Sequence, residues 1–70
     1  MMPLIFADAG ESYIIKKISG SPEIKKHMEN LGFVVGAEAS VVTETGGNLI
    51  VNIKESRVAI SKEMARKIFV

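Results

Sequence analysis

The chain has no cysteine and no tryptophan, a single histidine, two prolines and four aromatic residues, Phe6, Tyr13, Phe33 and Phe69. Without cysteine there can be neither a disulfide framework nor a thiolate metal site. No sign of charge dominates either: nine basic residues stand against eight acidic ones. The balance holds locally. Lys16, Lys17, Lys25 and Lys26 face Asp8, Glu11, Glu23 and Glu29 in residues 1–35, and the remainder holds five basic and four acidic residues. Neither half builds the one-sided positive field on which nucleic-acid binding rests. The few aromatics are not interleaved with a basic stripe on which single strands could stack. No nucleic-acid partner is expected.

Long apolar runs are missing as well. Nothing approaches the roughly 20 residues needed to cross a bilayer, which argues against direct membrane insertion. The apolar opening Met1–Ala7 has no basic stretch before it and meets Asp8 early, so it does not read as a signal peptide. A cytoplasmic location is the expectation. Seventy residues make one domain. Such a domain buries only about 60% of the surface of its unfolded chain, so its core is thin.

What is present is a succession of short, well-punctuated segments. Asp8-Ala9-Gly10-Glu11 reads as a turn, and Ser12–Ile18, rich in tyrosine and isoleucine, reads as a strand. Tyr13 and Ile15 alternate while Ile18 falls on the other parity, which predicts a bulge or a strong twist. Ser21 is placed to cap a helix with Pro22 at its first position and Glu23 at the positive end of its dipole. Ile24, Met28 and Leu31 then recur at helical spacing on one face, and Gly32 suits the left-handed position just past the end. This gives an inserted helix over about 22–31.

Beyond Val34 the period shortens. Val35-Gly36-Ala37 turns the chain into Glu38–Glu44, and Thr45-Gly46-Gly47-Asn48 is the strongest hairpin signal. Leu49, Val51 and Ile53 share one face of the next strand, Lys54-Glu55-Ser56 forms a second tight turn, and Arg57–Ile60 returns. Ser61 can cap a short helix over about 62–67 with Met64 and Ala65 inward, and Phe69-Val70 can pair once more. The pattern predicts a mostly β domain, a small barrel of about five short strands with helices closing its open sides.

Reactive constellations are sparse. His27 has no nucleophile near it in the pattern to complete a set of nucleophile, base and orienting group, so no catalytic residue is assigned and no enzymatic activity is expected. Glu23 and His27 lie one helical turn apart and could make at most a weak site for Fe2+ or another divalent ion, since transition metals usually take three or more ligands. No resident cofactor is expected. The glycines at Gly32–Gly36 and Gly46-Gly47 precede no Lys-Ser/Thr and open no helix, so they read as turn glycines and not as a phosphate loop.

Protein recognition remains. The candidate docking residues are Lys25, Met28, Leu31 and Phe33 at the rim of the first helix and Leu49 beside the hairpin, with burial in the core as the competing role for the apolar ones. Open strand edges of a small barrel could also accept a partner strand or a second copy of the chain.

Leu31-Gly32-Phe33-Val34-Val35-Gly36-Ala37-Glu38 resembles the Leu-Gly-hydrophobic-x-x-Gly signature of the FeoA family. Ile15-Lys16-Lys17-Ile18-Ser19-Gly20, the Gly46–Ile53 hairpin and strand, and Arg57-Val58-Ala59-Ile60 leading to Met64-Ala65 come in the family's order, so the similarity extends from about Pro3 to Val70. Glu55 stands in a turn where many members carry glycine. The resemblance implies an SH3-like barrel with an inserted helix. It also implies a non-enzymatic cytoplasmic accessory of bacterial ferrous iron uptake, drawn to the inner face of the membrane by FeoB, the transporter with a GTP-binding domain. A related SH3-like domain closes the iron-dependent repressors of the diphtheria-toxin-repressor type. Those carry a DNA-binding domain upstream, and a chain beginning at Met1 is expected to be the free-standing accessory instead.

Overall fold

The computed structural model describes residues 1–70 throughout. A single 3-10 turn, Leu4–Phe6, is followed by β1 (Ser12–Ile14), β2 (Lys17–Ile18), α1 (Pro22–Leu31) and β3 (Glu38–Thr45). β4 (Asn48–Ile53), β5 (Ser56–Ser61), α2 (Lys62–Ala65) and β6 (Ile68–Phe69) complete the chain.

β1, β3, β4 and β5 form an antiparallel four-stranded sheet in that order, and β2 pairs with β6 in a second, two-stranded one. The strand expected over Ser12–Ile18 is thus two strands. The Ile15 N–H donates to the Ala37 carbonyl, and the very next N–H, of Lys16, donates to the Phe69 carbonyl, at 2.9 and 2.8 Å. The chain leaves one sheet for the other between these residues, which is why Tyr13 and Ile18 fall on different parities.

Counting β1 and β2 as one bent strand recovers the expected five. The barrel does not close, however: β5 makes no ladder with β6. The last helix is also shorter than the expected 62–67. Ser61 caps it, accepting from the Met64 N–H at 3.1 Å, and the Lys67 N–H already bonds back to Met64 in a tighter turn that starts β6.

Thirteen hydrophobic residues fill the core, and no polar or charged residue is buried. Alternation supplies six of them: Ala39 and Val41 on β3, Leu49, Val51 and Ile53 on β4, and Ile60 on β5. β3 slips register between Val41 and Thr43, a bulge that bends it around this core. The N-terminus is tied in. Leu4 is fully buried, and Met2 and Val70 exchange N–H to carbonyl bonds of 2.8 Å in both directions.

Candidate docking surface

α1 is built as its sequence dictates. The Ser21 hydroxyl accepts from the Ile24 N–H at 3.3 Å, and Pro22 occupies the first turn, where no backbone donor is needed. At the other end Gly32 takes φ +104. Its N–H reaches the Glu29 carbonyl and the Phe33 N–H reaches the Met28 carbonyl, both at 2.9 Å. This pair of bonds is a Schellman motif, and Met28 and Phe33, the positions whose apolar side chains usually accompany it, both lie in the buried core.

That motif decides the fate of the expected docking residues. Met28 and Phe33 are both 0% exposed, and Leu49, on the inward parity of β4, is 2% exposed. All three belong to the core, so the docking role expected for Met28 and Leu49 is corrected, while Phe33, equally buried, still lines the groove described next. The reason is local. The left-handed turn at Gly32 redirects the chain, and Phe33 is buried in the same core cluster as Met28. Lys25 is exposed and Leu31 half-buried, so these two stay available at the surface.

The usable surface lies one step further along. A groove of about 300 Å³ runs between α1 and the loop after it, lined by Ile18, Lys25, Glu29, Phe33, Val34 and Val35. Val35 is 65% exposed, and Ile14, on the neighbouring strand, is 49% exposed. The loop is held against that strand by the Gly36 N–H donating to the Ile15 carbonyl at 2.8 Å. Lys25 and Glu29 are one turn apart on the groove's helical wall. The protein's one ion pair joins Lys62 to Glu44 at 2.6 Å, so both groove charges lack a partner within the chain. Val35 and Ile14 were not among the docking residues expected from sequence. The signal was the run Phe33-Val34-Val35, three apolar residues in a turn where only the first is turned into the core.

A second, larger cleft of about 510 Å³ separates α1 from α2, lined by Glu23, Ile24, His27, Ser61, Glu63, Met64 and Lys67. The two weak metal candidates, Glu23 and His27, are both exposed on its helical wall. No group of three or more His, Cys, Asp or Glu side chains converges to hold an ion anywhere in the chain. The Ser61 hydroxyl, also in the cleft, already caps α2. No helix is long and apolar enough to cross a membrane.

A family model described as the FeoA domain matches residues 2–70. A Methanocaldococcus jannaschii protein assigned as Fe(2+) transport protein A is 34% identical over 70 residues, the whole of this chain and 85% of that protein. Among solved structures, iron(II) transport protein A of Clostridium thermocellum superposes with a TM-score of 0.90 at 26% identity, covering 97% of this chain and 43% of that one. A zinc complex of FeoA from Stenotrophomonas maltophilia, described as an SH3 domain protein, gives 0.84 at 23%, with 99% and 88% covered. The same fold recurs in a manganese-dependent transcriptional repressor, with a TM-score of 0.85 at 19% identity over 94% of this chain and 38% of that one.

Proposed function

The chain belongs to the FeoA domain family, whose members are accessories of ferrous iron transport, and we propose that it acts by docking on the cytoplasmic side of a FeoB-type transporter. The observation that carries this reading is the groove beside α1. An apolar lining with Val35 standing out of it, flanked by an unpaired cation and an unpaired anion, is suited to a protein partner with an apolar anchor between charges of the opposite order.

The proposed mechanism is a bias on the partner's conformational equilibrium. That requires the groove to bind one state of the transporter more tightly than the other, because equal affinity shifts nothing. The GTP-binding domain is the natural place for two such states. This chain contributes shape, apolar contact and two charges, and the chemistry stays with the transporter. Iron in this reading is the transporter's cargo. Glu23 and His27 offer two donors where divalent metals usually take more.

The likeness to the manganese-dependent repressor concerns the fold, and the docking reading needs no DNA-binding partner domain. The experiment is a binding titration against the isolated GTP-binding domain of a FeoB-type transporter, with and without GTP. Val35→Asp should weaken association about tenfold or more, and Lys25→Glu less, with the unfolding midpoint of both variants unchanged. Absence of association in both nucleotide states, or a Val35→Asp variant that binds as well as the original, overturns the proposal.

A further inference from the structure

α1 is fastened to the core at one end only. At its C-terminal end Met28 and Phe33 are fully buried, and the Phe33 N–H donates to the Met28 carbonyl at 2.9 Å. No residue of the N-terminal half is buried: Pro22, Glu23, Lys25, Lys26 and His27 are exposed, and Ile24 is half-buried. Every hydrogen bond made by residues 22–27 finds its partner within residues 21–31. Neither Glu23 nor either lysine of this half takes part in the protein's one ion pair. The link that precedes the helix holds this half in place. The Ser19 N–H and hydroxyl both donate to the Lys67 carbonyl, at 2.8 and 3.4 Å, two residues ahead of the Ser21 cap. Between the two stands Gly20 at φ +119. A Cβ there would come to 3.1 Å from Cγ2 of Ile24, so the bare backbone leaves the first turn of α1 room to lean. Hinges are built from such positions at the ends of elements.

The helix also has somewhere to lean. The 510 Å³ cleft opens on its Glu23–His27 flank, and the far wall carries Glu63, Met64 and Lys67. The two walls are complementary. Each offers one half-buried apolar residue, Ile24 on α1 and Met64 on α2. The charges are ordered as well. A Cβ at Gly20 would lie 3.6 Å from Cδ of Lys67, so Lys67 stands at the foot of α1, at the Glu23 end of the cleft. Glu63, four residues before Lys67, lies further along the cleft with His27, whose ring N–H can donate to a carboxylate. Glu23 and Lys67, of opposite sign, both lack an ion-pair partner.

We propose that the N-terminal half of α1 closes on this cleft as a latch, with Glu23 pairing with Lys67 and Ile24 packing on Met64. Its pivot is the buried Met28–Phe33 end, and Gly20 absorbs the change at the other. Methionine is unbranched and has three rotatable side-chain bonds, so Met64 can follow the moving wall. The internal hydrogen bonds of the helix survive the motion, because none of them crosses to another element. Closure carries Lys25 away from Val34 and Val35, which widens the docking groove on the opposite flank. The cleft thus sets the width of the groove. That consequence rests on the docking reading, whereas the latch itself does not and is tested on the chain alone.

An open and a closed position that interconvert on the μs–ms timescale of hinge motions are read by amide relaxation dispersion. The amides of residues 23–27 should share one exchange rate, while those of β4 stay flat. Glu23→Gln and Lys67→Gln should each lower the closed population severalfold, and the double variant should lower it no further, as for two ends of one ion pair. Added salt should act on the original chain as the single variants do. Unchanged amide positions in β3 and β4 check that each variant keeps the fold. The proposal is overturned if residues 23–27 show no dispersion, or if their exchange extends through the sheet. It is equally overturned if either neutral variant exchanges as the original does, or if the two losses add in the double variant.

Discussion

Lys54 is the one residue other than glycine with a positive φ, +56, and it occupies the first central position of the turn between β4 and β5. Gly46 holds the same φ at the equivalent position of the β3–β4 turn. In neither turn does the second central residue have a positive φ, so the first position alone is the one that glycine suits. An L side chain in that region costs about 1–2 kcal/mol, and glycine returns roughly 0.5–1 of it as extra freedom of the unfolded chain. Lys54→Gly is therefore expected to stabilise the protein by about 0.5–1 kcal/mol, read as a higher urea midpoint at unchanged slope. The glycine that the family resemblance puts at Glu55 would relieve nothing, since the strain lies one residue earlier. Val35 and Met28 make a second contrast at this scale. Both are apolar, close in sequence and consistent with a surface role on pattern alone, yet one is 65% exposed and the other fully buried.

Among the elements, α1 shows how local rules and packing divide the work. Its start, its apolar stripe and its stop were all legible: Ser21 and Pro22 at one end, Ile24, Met28 and Leu31 along it, Gly32 at the other. The path of the chain beyond Gly32 was not, because its direction depends on the left-handed turn and on the space beneath the helix. A Cβ at Gly32 would meet Ile53 side-chain carbons at 3.5 and 3.6 Å, ordinary contact distances. The penalty of Gly32→Ala is therefore one of backbone and not of overlap, about 1–2 kcal/mol. Ser21→Ala should lose about 1 kcal/mol through its cap. These sites are at opposite ends of the helix and share no partner, so the double variant should show the sum of the two losses in chemical denaturation. The strands divide similarly. The common face of Leu49, Val51 and Ile53 on β4 was legible, although Leu49 was expected at a docking surface, while the break at Ile15–Lys16 depends on a second sheet that local pattern does not describe.

For the whole molecule, the decisive feature is how few residues carry the core. A 70-residue domain has a total stability of roughly 4–10 kcal/mol, and thirteen buried side chains supply its apolar interior. Leu4 is one of them, fully buried although it precedes every strand, and the backbone bonds between Met2 and Val70 close the two termini on each other. Leu4→Ala should thus cost about 2–5 kcal/mol, a large share of the total, and should lower the thermal midpoint far more than its terminal position suggests. A loss under about 1 kcal/mol would mean that the N-terminal turn is not part of the core in solution.

Pattern and punctuation were sufficient for the mostly β class, the inserted helix, the glycine hairpin and the family resemblance, because each rests on contacts within a few residues of chain. Which apolar residues stay outside was settled only by tertiary packing. Met28, Phe33 and Leu49 became core, Val35 and Ile14 became surface, and the barrel stayed open beside β5. Burial is a property of what the rest of the chain places overhead, and hydrophobicity at one position carries no record of that.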